Sequence, residues 1–349
     1  MRFALSTEQL DFAAELRKIL DAGQVPAAVR AWADGDTGKG RAILRQIAEM
    51  GVFGLIVDEK YDGADATTVD LVVALIELGR GAVPGPVIES AAVIPALLQR
   101  LADDAPARRW LSALASGQAL GTITFEPQRG IALDAEIAEP VLVATDGRLA
   151  LGRLSRSDVE TSADAAPGSV ASIDPARKLC RVTADESIAE GPEVEAAIDY
   201  AFDTGVLACA AQLLGAGRSI LEQTTSYAKQ RKQFGRAIGE FQAVKQQLAD
   251  VRIALDLAEP LVYRAALTLD SADRARDVSA ALVTCGDAAH RAARTGLQVH
   301  GAIGYTAEFD LSLWLTKVAA LRTAWGTADF HRGRIADSLR AAEPAAATI

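Results

Sequence analysis

Tyr227 to Asp250 reads YAKQRKQFGRAIGEFQAVKQQLAD, and the rest of the chain is organised around it. Lys229, Arg231, Lys232 and Arg236 cluster here, interrupted by Phe234-Gly235, although the formal net charge of the chain is −10. Positive charge is concentrated against the trend. After Gly239, the spacing of Phe241, Val244, Leu248, Val251 and Leu255 by threes and fours predicts an amphipathic helix with one packed face. The preceding residues are also helical in pattern, so a basic turn lies between two helices. Helix ends leave backbone N–H groups free and arginine grips phosphate with paired hydrogen bonds. The turn can therefore serve a phosphorylated ligand; a solvated basic loop between two core helices has the same composition.

A second stretch, Gln298-Val-His-Gly-Ala-Ile-Gly304 followed by Tyr305-Thr-Ala-Glu308, favours the ligand reading. Together the two stretches resemble the acyl-CoA dehydrogenase family, in which an R-x-x-F-G turn and a Q-x-x-G-G-x-G loop bind FAD across a subunit interface. Leu44 to Gly63 and Asp70 to Arg80 are similar to that family's second and third helices. The resemblance is weakest in the middle of the chain.

Composition agrees with a large, folded chain. The 349 residues are 50% hydrophobic and 23% charged, enough for two or three domains. A pI near 5.0 argues against nucleic acid and against an anionic membrane surface. Cys180, Cys209 and Cys285 lack metal-ligand spacing and read as small core residues of a reducing compartment. No signal peptide and no apolar run of about twenty residues is expected, so the default location is cytoplasmic.

Taken in order, Ser6-x-x-Gln9 reads as a capping box before a helix ending near Gly23. Helical patterns follow at Arg41–Met50, Thr68–Gly79 and Ile88–Leu101, the last expected to kink or split at Pro95. Residues 1–118 form the expected N-terminal helical domain. Short β-branched runs at Gly121–Phe125, Val141–Ala144, Leu149–Leu151 and Leu179–Val182, separated by Asp146-Gly147 and Pro167-Gly168, predict a small β domain over 119–192. Residues 193–349 return to helices at Thr204–Tyr227, Phe241–Asp270, Ala275–Leu297 and Phe309–Leu339, with a kink expected at Pro260 and a frayed tail from Ala341. The fold class is mostly α with a small central β domain, matching the family's N-terminal bundle, β domain and C-terminal four-helix bundle.

The resemblance implies that a carboxylate removes the α-proton of an acyl-CoA thioester while the β-hydride passes to FAD, whose electrons then go to an electron-transfer acceptor. Two motif positions carry that base in relatives, and neither is acidic here. The Y-E-G-T position falls on Ala324-Trp325-Gly326-Thr327, with Trp325 in place of glutamate. The alternative position, on the helix before the basic turn, falls on Gly205. Asp203, two residues upstream, is the weak candidate for a base and reads more simply as the cap of a helix starting at Thr204. The family's T-E-P-x-A-G-S-D strand becomes Phe125-Glu126-Pro127-Gln128-Arg129-Gly130, and no segment matches W-I-T/S. Ser172-Ile-Asp174-Pro-Ala-Arg177 resembles a D-x-x-R segment of actinobacterial members.

What survives corresponds to one half of a shared site. Arg231, Gln233, Phe234, Gln298, Gly301, Gly304 and Thr327 match residues that serve FAD in the family, most of them across the interface. The resemblance therefore implies the smaller, base-less subunit of a heteromeric α2β2 enzyme of the steroid side-chain type, completed by a larger subunit. A redox-inactive acyl-CoA-binding or scaffold homologue is the alternative, and a homodimer using Asp203 or Glu126 as base is the third reading. His290 reads as packed, His300 as part of the glycine loop, and His331 as favourable charge late in a helix. Their spacing suggests no metal site.

Overall fold

The computed structural model describes residues 4–125, 130–155 and 168–342. Glu126 to Arg129, Pro167 and most of the Ala-rich tail lie outside the described residues. The chain divides into two compact units. One comprises Glu8–Ala74 and Val83–Gly205; the other comprises Met1–Thr7, Leu75–Ala82 and Val206–Ile349.

The first three helices are α1 (Thr7–Ala22), α2 (Val25–Ala33) and α3 (Gly38–Glu49). Gln9 donates across to the Asp70 carboxylate at 2.8 Å, so its amide ties α1 to the distant helix Thr68–Arg80 rather than only closing a capping box. Sequence periodicity overlooked α2, which has proline in its first turn and buries Val25, Ala28, Val29 and Trp32. α3 stops where Gly51 adopts φ 81°. α4 (Thr68–Arg80) matches its expected range.

The expected split at Pro95 takes a specific form. Residues Glu89–Val93 make a π turn that passes into α5 (Ile94–Leu98), and the Ile94 N–H reaches back five residues to the Glu89 carbonyl. Widening the helix just before a residue without an N–H lets it continue without an internal clash. α6 (Ala105–Ala115) completes this part.

The sheet contains β1 (Thr122–Phe125), β2 (Ile131–Leu133), β3 (Val141–Thr145), β4 (Arg148–Leu154), β5 (Ser169–Val170) and β6 (Leu179–Glu190). Their order is β1-β3-β4-β6-β2, with β5 also pairing with β6. β1 and β3 run parallel and the other pairs are antiparallel. Asp146-Gly147 forms the β3–β4 hairpin, with Gly147 at φ 64° as a two-residue turn requires. Ala132, Ala135, Val143, Cys180 and Val182 make the small core on one side of the sheet.

A single helix, α7 (Pro192–Gln230), follows for 39 residues. It starts well before the expected Thr204, because Pro192 opens the helix and acidic Glu193 and Glu195 suit its first turn. One segment of α7 meets the length and composition expected of a membrane span, contrary to the sequence expectation of no such apolar run. Of that window, 89% is buried inside the protein, as in a core helix.

β7 (Lys232–Gln233) and β8 (Arg236–Ala237) lead into α8 (Gln242–Leu267), and α9 (Arg274–His300), α10 (Leu311–Ala324) and α11 (Ala328–Ala342) finish the chain. α8 runs unbroken through Pro260, which faces solvent, where water can satisfy the carbonyl that proline leaves free. The expected helix over Phe309–Leu339 is instead two helices, broken at Trp325-Gly326-Thr327. Gly326 sits at φ 102°, and a Cβ there would lie 2.7 Å from His331 Nε2. All three cysteines are buried and none is in a disulfide among the described residues.

Candidate functional site

The basic turn is a hairpin. β7 and β8 pair as Lys232 with Ala237 and Gln233 with Arg236, leaving Phe234 and Gly235 at the tip with φ 52° and 82°. Two consecutive positive φ values define the primed turn that matches strand twist, and glycine accepts it freely while phenylalanine does not. Phe234 is nonetheless held there with its ring 92% exposed. The hairpin is closed at its base by Arg231, whose N–H donates to the Tyr227 carbonyl and whose carbonyl accepts from the Ile238 N–H, both at 2.8 Å.

Lys229, Arg231, Lys232 and Arg236 are exposed, and none forms an ion pair among the described residues. Arg236 rests its guanidinium 4.3 Å from the centre of the Phe241 ring. Phe241 also meets Phe234 edge-on, with 6.3 Å between ring centres. The hairpin therefore presents unneutralised cations beside an uncovered aromatic ring, a combination suited to an anionic ligand carrying a flat base.

The glycine loop begins at the end of α9. Gly301 has φ 66° and ψ −147°, a region open essentially to glycine alone, and a Cβ there would meet nothing within 4 Å. Gln298 and Gly301 are exposed, whereas Gly304 is buried and a Cβ on it would press on His300 at 3.0 Å. Ile303 and Tyr305 leave apolar surface uncovered beside the loop.

The two stretches are joined by a contact that sequence reasoning missed. The Tyr227 ring, in the last turn of α7, stacks on His300 in the last turn of α9, with centres 4.1 Å apart. Phe309 closes the cluster at 5.2 Å from His300 and 6.3 Å from Tyr227. Arg231 follows Tyr227 by one helical turn and Gly301 follows His300 directly, so this stack sets the relation between hairpin and loop. An aromatic residue closing each helix was the available signal.

His300 is a fixed part of this cluster. It is 6% exposed, and its Nδ1 donates to the Gly296 carbonyl at 2.8 Å. Its Nε2 is therefore an acceptor, and it has no hydrogen-bond partner among the described residues. Burial pushes the imidazole below its usual 6.5, the Gly296 hydrogen bond opposing only in part. Stability linked to His300 is thus full above about pH 6.5 and declines as pH falls below it, since the unfolded chain takes up the proton first. In urea titrations at descending pH, His300→Gln is expected to lose less stability between about pH 6.5 and 5 than the unaltered chain; parallel losses would show that His300 titrates normally.

Other expected site residues lie elsewhere. Thr327 stands just before α11, and its hydroxyl accepts the Phe330 N–H at 3.3 Å. No hydrogen bond joins it to the hairpin or loop among the described residues. Trp325, at the motif position of the missing glutamate, is buried and ends α10. Asp203 is buried three turns inside α7, so the helix-capping reading of it is wrong: the helix begins at Pro192. Glu126 falls outside the described residues.

His331 also corrects the sequence reading. It lies in the first turn of α11, not late in a helix, and is fully buried. Its Nε2 donates to the Trp325 carbonyl at 2.8 Å, and its Nδ1 accepts from the Ser279 hydroxyl at 3.0 Å. It fastens the α10–α11 break to α9. His290 is half-buried on α9, as expected of a packed residue. No group of three or more metal-ligating side chains occurs among the described residues.

Comparison with known proteins agrees with this geometry. Residues 6–118 match the family model for the acyl-CoA dehydrogenase N-terminal domain, and residues 196–340 match that for its C-terminal domain. The chain belongs to the acyl-CoA dehydrogenase family. Among its relatives is the acyl-CoA dehydrogenase IpdE2 of Mycobacterium tuberculosis, 33% identical over 84% of this chain and 85% of that protein. The ChsE4-ChsE5 complex from Mycobacterium tuberculosis shares the fold, with a TM-score of 0.80 at 23% identity, covering 99% of this chain and 100% of the matched one. A glutaryl-coenzyme A dehydrogenase bound to glutaryl-CoA does so at a TM-score of 0.82 and 17% identity, over 98% of both chains. The Tcur3481-Tcur3483 steroid ACAD matches at 0.79 and 21%, over 96% and 98%.

Members of this family are FAD flavoproteins. The residues present fit the dinucleotide half of that cofactor: unpaired cations for the pyrophosphate, an exposed ring for a base, and a glycine whose missing Cβ leaves the loop open.

Proposed function

We propose that this chain is one subunit of an FAD-dependent acyl-CoA dehydrogenase, lending half of an FAD site to a partner that supplies the catalytic base. The reaction is α,β-dehydrogenation of an acyl-CoA thioester. When bound, FAD supplies the hydride acceptor. In this chain, Arg231 and its neighbouring cations hold the pyrophosphate, Gln298 and the Gly301–Gly304 loop orient it, and Phe234 covers the adenosine end. The electron-transfer acceptor lies downstream of the assembled enzyme.

One observation carries the half-site reading. The hairpin and loop are complete and pinned together by Tyr227 and His300, while Trp325 is sealed in the core with its carbonyl committed to His331. A general base must reach the substrate proton, and an indole can neither accept it nor be exchanged for a neighbour here. A bulky CoA ester, of the steroid side-chain type suggested by IpdE2 and by the steroid ACAD neighbour, is the proposed substrate class. The assembly is a heterotetramer, and its location is cytoplasmic.

The buried Trp325 equally suits a redox-inactive acyl-CoA-binding homologue. Anaerobic mixing with the acyl-CoA substrate separates the two. We expect the flavin of the co-purified complex to bleach and the complex carrying the partner's base replaced by glutamine to stay yellow. A complex that never bleaches with any acyl-CoA favours the inactive homologue.

A further inference from the structure

A cavity of about 470 Å³ opens between the α2–α3 turn and the sheet, well away in sequence from the hairpin and loop. Its apolar wall includes Trp32, Ile137 and Leu179. Trp32 is fully buried and its orientation is fixed, because its indole N–H donates to the Asp134 carboxylate at 2.9 Å. The Lys178 ammonium is also committed, donating to the Ala33 carbonyl. These two ties hold the wall of the cavity in place from both sides.

Arg177 differs from them. It belongs to the Ser172–Arg177 segment that the proposed function does not use, and the structure shows what that segment does. Asp174 is buried; its carboxylate accepts the Ala176 N–H at 3.0 Å, its own N–H donates to the Ser172 hydroxyl at 3.2 Å, and its carbonyl accepts the Arg177 N–H at 3.0 Å. The segment is a self-bonded turn that delivers Arg177 to the cavity. There Arg177 is half-buried and forms no ion pair among the described residues. A partly desolvated arginine without a counter-ion, facing a volume in the range of small-molecule sites, is a ready carboxylate anchor.

We propose that this cavity is a second ligand site that takes a small monocarboxylate, its apolar body against Ile137 and Leu179, with Trp32 backing that wall from behind, and its carboxylate on Arg177. The lining's own charges select against a phosphate dianion. Asp34, Asp134 and Glu136 face the same space as Arg177 and Lys178, so each negative charge beyond the one that Arg177 holds adds repulsion, and a monoanion is favoured over a dianion.

Isothermal titration of hexanoate into the purified full chain tests this. Saturable binding is expected, weakened at least ~10-fold in Arg177→Gln, because one charge-assisted contact is lost, and largely kept in Arg177→Lys. Circular dichroism confirms that the variants fold. Absence of saturable binding, or equal affinity in Arg177→Gln, would overturn the proposal.

Discussion

Arg231→Ala is expected to release FAD from the assembled enzyme while this chain remains folded. The side chain is exposed and forms no ion pair among the described residues, so its loss opens no cavity. The hairpin base is held by the Arg231 backbone, which alanine keeps. The loss is therefore confined to a charge-assisted phosphate contact worth about 1.5–3 kcal/mol, a ~10- to 100-fold weaker affinity. Arg231→Lys keeps the charge and loses the paired geometry, so an intermediate loss is expected. Flavin retained on gel filtration by the complex measures it. Full retention in Arg231→Ala would remove Arg231 from the pyrophosphate.

His331→Ala is expected to be the most damaging change outside the large apolar core. It leaves the Trp325 carbonyl and the Ser279 hydroxyl without their buried partner and opens a void beneath Gly326. Two lost buried hydrogen bonds and a cavity together cost on the order of 3–5 kcal/mol. Arg334 still donates to Ser279 at 3.2 Å, which compensates for part of one loss. A lower urea midpoint for the second unit, with flavin affinity falling only as unfolding begins, is the expected result. A midpoint unchanged from the parent chain would mean that the helix break holds without this fastener.

Most of the architecture was legible because local signals and tertiary demands agree. Asp146-Gly147, Gly51 and the β-branched runs each point to the element observed. α2 was not legible: nine residues hold too little periodicity, and its stability comes from burying Trp32. The start of α7 was misplaced although its first turns carry a buried Val194–Ala197–Ala201 stripe opposite exposed Glu193, Glu195 and Asp199, because that stripe is short and mostly alanine. The break at Trp325-Gly326 was hidden for a different reason. One glycine inside a helical pattern is ordinary, and what makes it a break here is a histidine five residues on that binds the freed carbonyl.

The site divides the same way. Arg231, Phe234 and the glycine loop were legible as spaced residue types. Their joining was not, since the Tyr227–His300 stack links residues far apart in sequence with no shared motif. Nor did spacing show that Phe234 stands at a positive φ with its ring in solvent, which makes the hairpin tip a contact surface.

The most direct test of the half-site account is the flavin content of this chain purified alone, then co-expressed with a family member that retains the glutamate base. The account predicts a colourless chain alone and a yellow complex holding about one FAD per pair of unlike subunits, because this chain offers only the dinucleotide half. A chain that is yellow by itself, at about one FAD per copy, would contradict it and make the protein a self-sufficient homo-oligomer.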